Sequence, residues 1–292
     1  MAFLLALAAP AAAQSERPKV VASFSILADF VKNVGGDRIE LSTLVGPDGD
    51  AHVYAPTPAD GRRLAEAKVV FVNGLKFEGW INRLVKSSGT KAALIEAAKG
   101  VTTVAEEGGH GHGHGHGAVD PHAWQSVANA RIYVANVRDA LIAADPAGKS
   151  TYEANASAYL QKLDALDQEV KAAVARIPAD RRRIITSHDA FAYFEKAYGL
   201  DFVAPQGVST EAEASAKDVA RIIQQIRKEK IGAVFFENVT DPRLVERIAK
   251  ETGARIGEQL YSDALSRENG PAATYIDMMR HNIRAISTAL SS

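Results

Sequence analysis

Residues 147–176, AGKSTYEANASAYLQKLDALDQEVKAAVAR, decide the fold. Past Gly148 no Pro or Gly interrupts this run, and Leu160, Leu163, Leu166, Val170 and Val174 recur at three- and four-residue steps. That spacing lays them along one apolar stripe of a long amphipathic helix. Asp145-Pro146 breaks the chain before it and Ile177-Pro178 ends it.

On the amino-terminal side, short apolar runs alternate with helical periodicity. Strands are expected at Lys19 to Phe24, Ile39 to Val45 and Val69 to Asn73, with helices at Ile26 to Val34, Thr57 to Ala67 and Trp80 to Lys86. Val127 to Ala144 is a further helix. Beyond the long helix the alternation resumes: strands at Arg183 to Ser187, Phe202 to Ala204, Ile231 to Phe236 and Arg255 to Leu260, helices at Ala190 to Tyr198, Ser215 to Lys228, Pro242 to Thr252 and Ala272 to Leu290. Alternation of this kind implies parallel βαβ units with helices on both faces of a sheet. The expected class is α/β, two lobes with parallel-type sheets flanking one helix.

The composition is that of an ordinary globular chain, 47% hydrophobic and 24% charged over 292 residues. Lys and Arg number 34 against 35 Asp and Glu, so no global field recruits nucleic acid or an anionic membrane. Met1 to Gln14, MAFLLALAAPAAAQ, has the short apolar core and small-residue end of a secretory signal, although the basic start is missing. No later run is long enough to span a bilayer, so an exported periplasmic protein without membrane insertion is expected. Cysteine is absent, which excludes disulfides, thiolate ligands and a lipid-modified Cys from this sequence.

Five of the eight histidines lie between Glu106 and Trp124, where His110, His112, His114 and His116 alternate with Gly before Asp120-Pro121-His122-Ala123-Trp124. Neutral imidazole is the commonest ligand for borderline metals, so the run is expected to act as an auxiliary chelating tether, disordered without metal. A Gly-His run can also be plain linker or an added tag, but tags sit at termini and this one is internal.

In open α/β sheets ligands gather at the carboxyl ends of strands. His52 lies in the loop after the second strand, His122 follows the Gly-His run, His188 follows Ile185-Thr186-Ser187, and Asp263 follows a strand ending Leu260-Tyr261-Ser262. Two fall in each half, so a shared site belongs in the cleft between them. Three imidazoles and one carboxylate match a tetrahedral zinc shell, whereas manganese prefers more oxygen donors.

The pieces Ala22-Ser23-Phe24-Ser25-Ile26-Leu27, Gly49-Asp50-Ala51-His52-Val53-Tyr54-Ala55-Pro56-Thr57-Pro58, Asn73-Gly74-Leu75, Asp120-Pro121-His122-Ala123-Trp124, Ser187-His188-Asp189-Ala190-Phe191 and Tyr261-Ser262-Asp263 carry a family resemblance. They resemble the metal-binding proteins of ABC transporters for zinc and manganese, and are most similar to the zinc branch of ZnuA and AztC type. The motifs stand in the family's order over nearly the whole mature chain. The resemblance implies a rigid backbone helix between the lobes, a metal in the interlobe cleft on His52, His122, His188 and Asp263, and delivery to a membrane permease. Manganese members carry a carboxylate where His188 stands, and a His-rich loop is typical of zinc members. The resulting division is a signal peptide at 1–16, a first lobe at 17–145 holding the His-rich loop 108–117, a linking helix at 146–177 and a second lobe at 178–292.

Other residues carry further expectations. Glu78 and Trp80 could orient His52 or His122 through the second ring nitrogen, or simply pack the lobe. Glu237 stands at a strand end as an orienting partner or a competing ligand. His281, between Arg280 and Asn282, reads as a solvated surface residue. The leading function is a monomeric periplasmic protein that captures Zn2+ and hands it to an ABC permease, with a periplasmic zinc metallochaperone as a further candidate partner. The alternatives are a manganese-binding homologue, a zinc buffer or adhesin, and a zinc hydrolase. For the hydrolase, no His-Glu-x-x-His helix is present, and four protein ligands would leave no open position for a metal-bound water.

Overall fold

The structure, a computed structural model, describes residues 17–105 and 119–290. The leader expected at 1–16 and His110, His112, His114 and His116 lie outside the described residues.

The first sheet is built from β1 (Lys19–Phe24), β2 (Glu40–Val45), β3 (Val69–Val72) and β4 (Ala93–Glu96), in the order β2-β1-β3-β4 and parallel throughout. Helices α1 (Ser25–Gly35), α2 (Pro58–Glu66) and α3 (Ile81–Ser88) form its crossovers. β1 and β3 are apolar at nearly every position and buried on both faces, the composition a central parallel strand requires.

The second sheet repeats the plan with β5 (Arg183–Ile185), β6 (Asp201–Val203), β7 (Ala233–Val234) and β8 (Arg255–Ile256), in the order β6-β5-β7-β8. Its connections are α6 (Ala192–Tyr198), α7 (Ala216–Glu229) and α8 (Arg243–Thr252). Two α/β lobes, each with a four-stranded parallel sheet, are therefore present, as the alternation of patterns implied.

Between them run α4 (Val127–Ala144) and α5 (Lys149–Ala175), the latter 27 residues and about 40 Å long. The buried stripe of α5 comprises Tyr152, Ala156, Tyr159, Leu163, Leu166, Val170 and Val174, extending the expected stripe by two turns toward the amino terminus. The closing helix α9 (Tyr275–Leu290) packs on α5 and α1. Tyr275 accounts for much of this: its N–H donates to Asp29 (3.1 Å), its hydroxyl to the Trp124 carbonyl (2.7 Å), and its ring meets Phe30 edge-on.

One apolar cluster runs from β1, α1, α4, α5 and α9 into Phe191, Phe194 and Phe235 of the second half. A smaller one, around Ile185, Ile222, Val234 and Ile248, fills the space under α7 and α8. His281 is buried in this arrangement, 6% exposed, which corrects its reading as a surface residue. A carbonyl can only accept, so its Nε2–H donates to the Gln259 oxygen at 2.8 Å.

Candidate metal centre

His52 is delivered by a loop pinned at both ends. Asp50 Oδ1 accepts the His52 main-chain N–H (2.8 Å), and the Trp80 indole donates to the Ala51 carbonyl (2.7 Å). Beyond it, the Tyr54 hydroxyl donates to Asp60, the same carboxylate that completes the Thr57 capping box of α2. Trp80 thus positions the loop of His52 through the backbone next door. Glu78 is buried but reaches neither imidazole; it accepts from Ser23 (2.6 Å) and from the Asn73 N–H (2.7 Å), and Asn73 in turn donates to Pro121 beside His122 (2.9 Å).

His122 opens the short 3-10 turn Ala123–Gln125 ahead of α4. The carboxylate of Asp120, two residues back, accepts both the His122 N–H and its Nδ1–H, each at 2.8 Å. Donation from Nδ1 to Asp120 means that, once the ring gives up its second proton to an incoming ion, the lone pair is on Nε2 facing the cleft. Nothing in the spacing of Asp-Pro-His singled out Asp120, although a carboxylate at that offset from a ligand-type His was the available signal. Phe77 and Trp124 stand edge-on to the imidazoles of His52 and His122 and make the wall apolar.

His188 follows β5, where Glu237 takes over from the strand ladder. Glu237 Oε1 accepts the N–H groups of Ser187 (2.9 Å) and His188 (3.0 Å), while Oε2 lies 2.5 Å from His188 Nδ1. Glu237 therefore sits behind the ring rather than beside the cluster. Asp263 does not leave directly from a strand end as expected. β8 stops at Ile256, and Leu260 returns only as an isolated bridge to Glu237. Gly257, flush against the Phe235 ring where any Cβ would fall 2.2 Å from Cε1, still donates its N–H to the Val234 carbonyl at 2.8 Å; the pairing lapses beyond it, where the Gln259 carbonyl accepts from His281 at 2.8 Å. Trp124 and Gln125 of the first half then donate to the Ser262 carbonyl at 2.9 and 2.8 Å, fixing Asp263 in the cleft.

His52, His122, His188 and Asp263 converge, one donor atom from each lying within 4.8 Å of all the others. His52 Nε2 is 3.3 Å from His122 Nε2 and 3.2 Å from Asp263 Oδ2; His188 Nε2 is 3.2 Å from Asp263 Oδ2, and His122 Nε2 is 3.5 Å from Asp263 Oδ1. A tetrahedron with bonds of about 2.0–2.1 Å has edges of about 3.3–3.4 Å, so these are the separations of donors ready to share one ion. His122, His188 and Asp263 are fully buried, and His188 Nε2 and both Asp263 oxygens make no hydrogen bond among the described residues. Buried polar atoms are rarely left so, and a cation among them satisfies all three.

The charges show the same tension. Burial works to lower the His122 pKa, but the carboxylates of Asp263 and Asp120 outweigh it and hold the imidazole at about 9. Burial opposes a proton on His188 too, and Glu237 and Asp263 raise it well above the ordinary value. Asp263 runs the other way: burial pushes it up, and His122 and His188 bring it well below the usual carboxylate range.

Two like-built lobes around a buried cluster of metal donors define a two-lobed metal-binding receptor. Residues 20–289 match the family model described as ZnuA, zinc-uptake complex component A, periplasmic, and the chain belongs to that family of metal-binding components of ABC transporters. It is similar to the manganese ABC transporter substrate-binding lipoprotein PsaA of Streptococcus pneumoniae, with 34% identity over 283 residues covering 95% of this chain and 90% of the relative. It is similar also to the iron-binding protein YfeA of Yersinia pestis, 36% identical over 269 residues, with 92% and 85% covered. Among solved structures it resembles the periplasmic zinc-binding protein TroA of Treponema pallidum, with TM-score 0.88, 31% identity and coverage of 94% of this chain and 99% of that one. These relatives are binding proteins and not enzymes.

Proposed function

We propose that this protein is a periplasmic receptor that holds one Zn2+ on His52, His122, His188 and Asp263 and delivers it to the permease of an ABC importer. The observation that carries the reading is the set of donor separations between 3.2 and 3.5 Å around Asp263. The relatives' names include manganese, iron and zinc, so the choice of ion rests on the donors themselves. Three imidazoles to one carboxylate make a soft, nitrogen-rich set of low coordination number, which favours zinc over manganese. Asp120 and Glu237 strengthen that preference, because each presses its histidine to present Nε2 with raised basicity.

Calorimetric titration of protein stripped by chelator, with zinc and manganese in turn, tests the assignment. Zinc is expected to occupy the cleft at one ion per chain and to resist displacement by an about 10²-fold excess of manganese. His188→Ala is expected to weaken zinc by roughly 10²-fold or more, since one of four ligands is lost. Tighter binding of manganese, or an affinity indifferent to His188, would reject the zinc assignment.

A further inference from the structure

His52 and His188 stand on opposite lobes, yet a path of hydrogen bonds joins them without passing through the donor cluster. It starts at Asp50, whose Oδ1 holds the His52 N–H at 2.8 Å. The other oxygen of the same carboxylate accepts the Thr210 hydroxyl at 2.6 Å, across 160 residues of sequence. Thr210 lies in the loop that follows β6, and its carbonyl accepts from the Gln206 side chain at 3.2 Å. Gln206 in turn pairs with His188 as an isolated parallel bridge, its N–H donating to the Ser187 carbonyl at 3.4 Å. Nearby, the Asp189 main-chain N–H donates to the Gly207 carbonyl at 3.4 Å.

The same arm touches the second half once more. Asp48, at a positive φ of 57°, donates its N–H to the Leu265 carbonyl at 2.9 Å, and its carboxylate receives the Asn238 amide at 3.3 Å. Asp48 is exposed, whereas Asp50 and Thr210 are partly buried at the mouth of the cleft. At 2.6 Å the charge-assisted bond between Asp50 and Thr210 is shorter than either side-chain link of Asp48, 3.3 Å to Asn238 and 3.7 Å to Arg267.

Resting on the zinc-receptor reading above, we propose that Asp50 and Thr210 form a latch across the cleft, in which Asp50 is a positioning residue for His52 and Thr210 reports the place of His188. While the latch is made, the imidazoles of the two lobes stay at bonding distance from one ion. Opening the cleft to let the ion go requires the Thr210 hydroxyl to leave the carboxylate. The latch acts on the rate of release and not on the identity of the donors.

The test uses the full chain loaded with zinc and, separately, with cobalt. Zinc release is followed by stopped-flow transfer to a fluorescent chelator, and the cobalt d–d absorption reports the donor geometry. Thr210→Val keeps shape and removes the hydroxyl, and it is expected to speed release by roughly three- to tenfold, the effect of one lost hydrogen bond to a charged group at a partly wet site. The cobalt spectrum is expected to stay that of the wild type. Thr210→Ser, which restores a hydroxyl, is expected to release within about twofold of wild type. In an Asp50→Ala background the Val substitution is expected to add nothing, as two ends of one interaction should. Release from Thr210→Val at the wild-type rate, or equally fast release from the Val and Ser variants, overturns the latch while leaving the zinc site standing. A wild-type chain that takes up neither ion overturns both readings.

Discussion

His122 concentrates the chemistry of the cleft in one ring, buried with Asp120 on Nδ1 and Asp263 facing Nε2. Its pKa is held at about 9 against an ordinary 6.5, so in the metal-free fold it carries a proton that an incoming ion must displace. The sign follows from linkage: stability from a raised pKa is fully present below the unfolded value of 6.5 and is lost as pH rises through about 9. The metal-free protein is therefore expected to lose melting temperature between these values, while apparent zinc affinity climbs by about one log unit per pH unit for each displaced proton. Calorimetry in buffers of different ionisation enthalpy counts the protons; a zinc affinity flat across that window with no proton release would contradict a protonated His122. An imidazole at its reference value would place the loss of affinity only below about pH 6. The four converging donors were legible in the sequence as loop residues between elements, although only His52 and His188 follow named strands directly, Asp263 coming after an isolated bridge. The hold on each ring was not, since which nitrogen faces a carboxylate depends on backbone turns such as the one that brings Asp120 under His122.

The end of β8 shows how an element can stop for reasons that patterning does not carry. The segment from Arg255 to Leu260 was expected as one strand, yet only Arg255–Ile256 form one: Gly257, packed flush on the Phe235 ring, still donates to Val234, and the pairing lapses where the Gln259 carbonyl turns to His281. Gly257→Ala is expected to cost about 1–3 kcal/mol through overpacking, read as a lower urea midpoint with an unchanged slope. A midpoint equal to wild type would mean that the ring yields freely. The strands around it were also expected too long. β5 ends at Ile185 because the N–H groups of Ser187 and His188 are given to Glu237, so the ladder stops where the site begins. β4 was not anticipated at all: Ala93–Glu96 is short and largely exposed at a sheet edge, with no alternation to mark it. The long helix was read correctly in kind, and its stripe was underestimated where Tyr152, Ala156 and Tyr159 replace aliphatic residues as the buried contacts.

At the scale of the whole molecule, a single ion would join parts that the chain order keeps apart. Anything that binds only the folded state adds stability by mass action, about 4 kcal/mol when the free ligand is a thousandfold above its dissociation constant. Zinc is thus expected to raise the melting temperature by several degrees, reversibly on chelation, with the greatest gain in amide protection in the loops around His188 and Asp263. No shift in melting temperature on adding zinc would refute that linkage. The packing of α9 on α1 and α5 has a separate consequence. Its residues Asn282 and His281 pin Tyr261 and Gln259 ahead of Asp263, and Tyr275 ties Asp29 to Trp124. A polypeptide emerging amino terminus first cannot finish its earliest half until the Tyr275–Leu290 helix has arrived. A product cut short before Tyr275 would lack these ties and is expected to lie open to proteases.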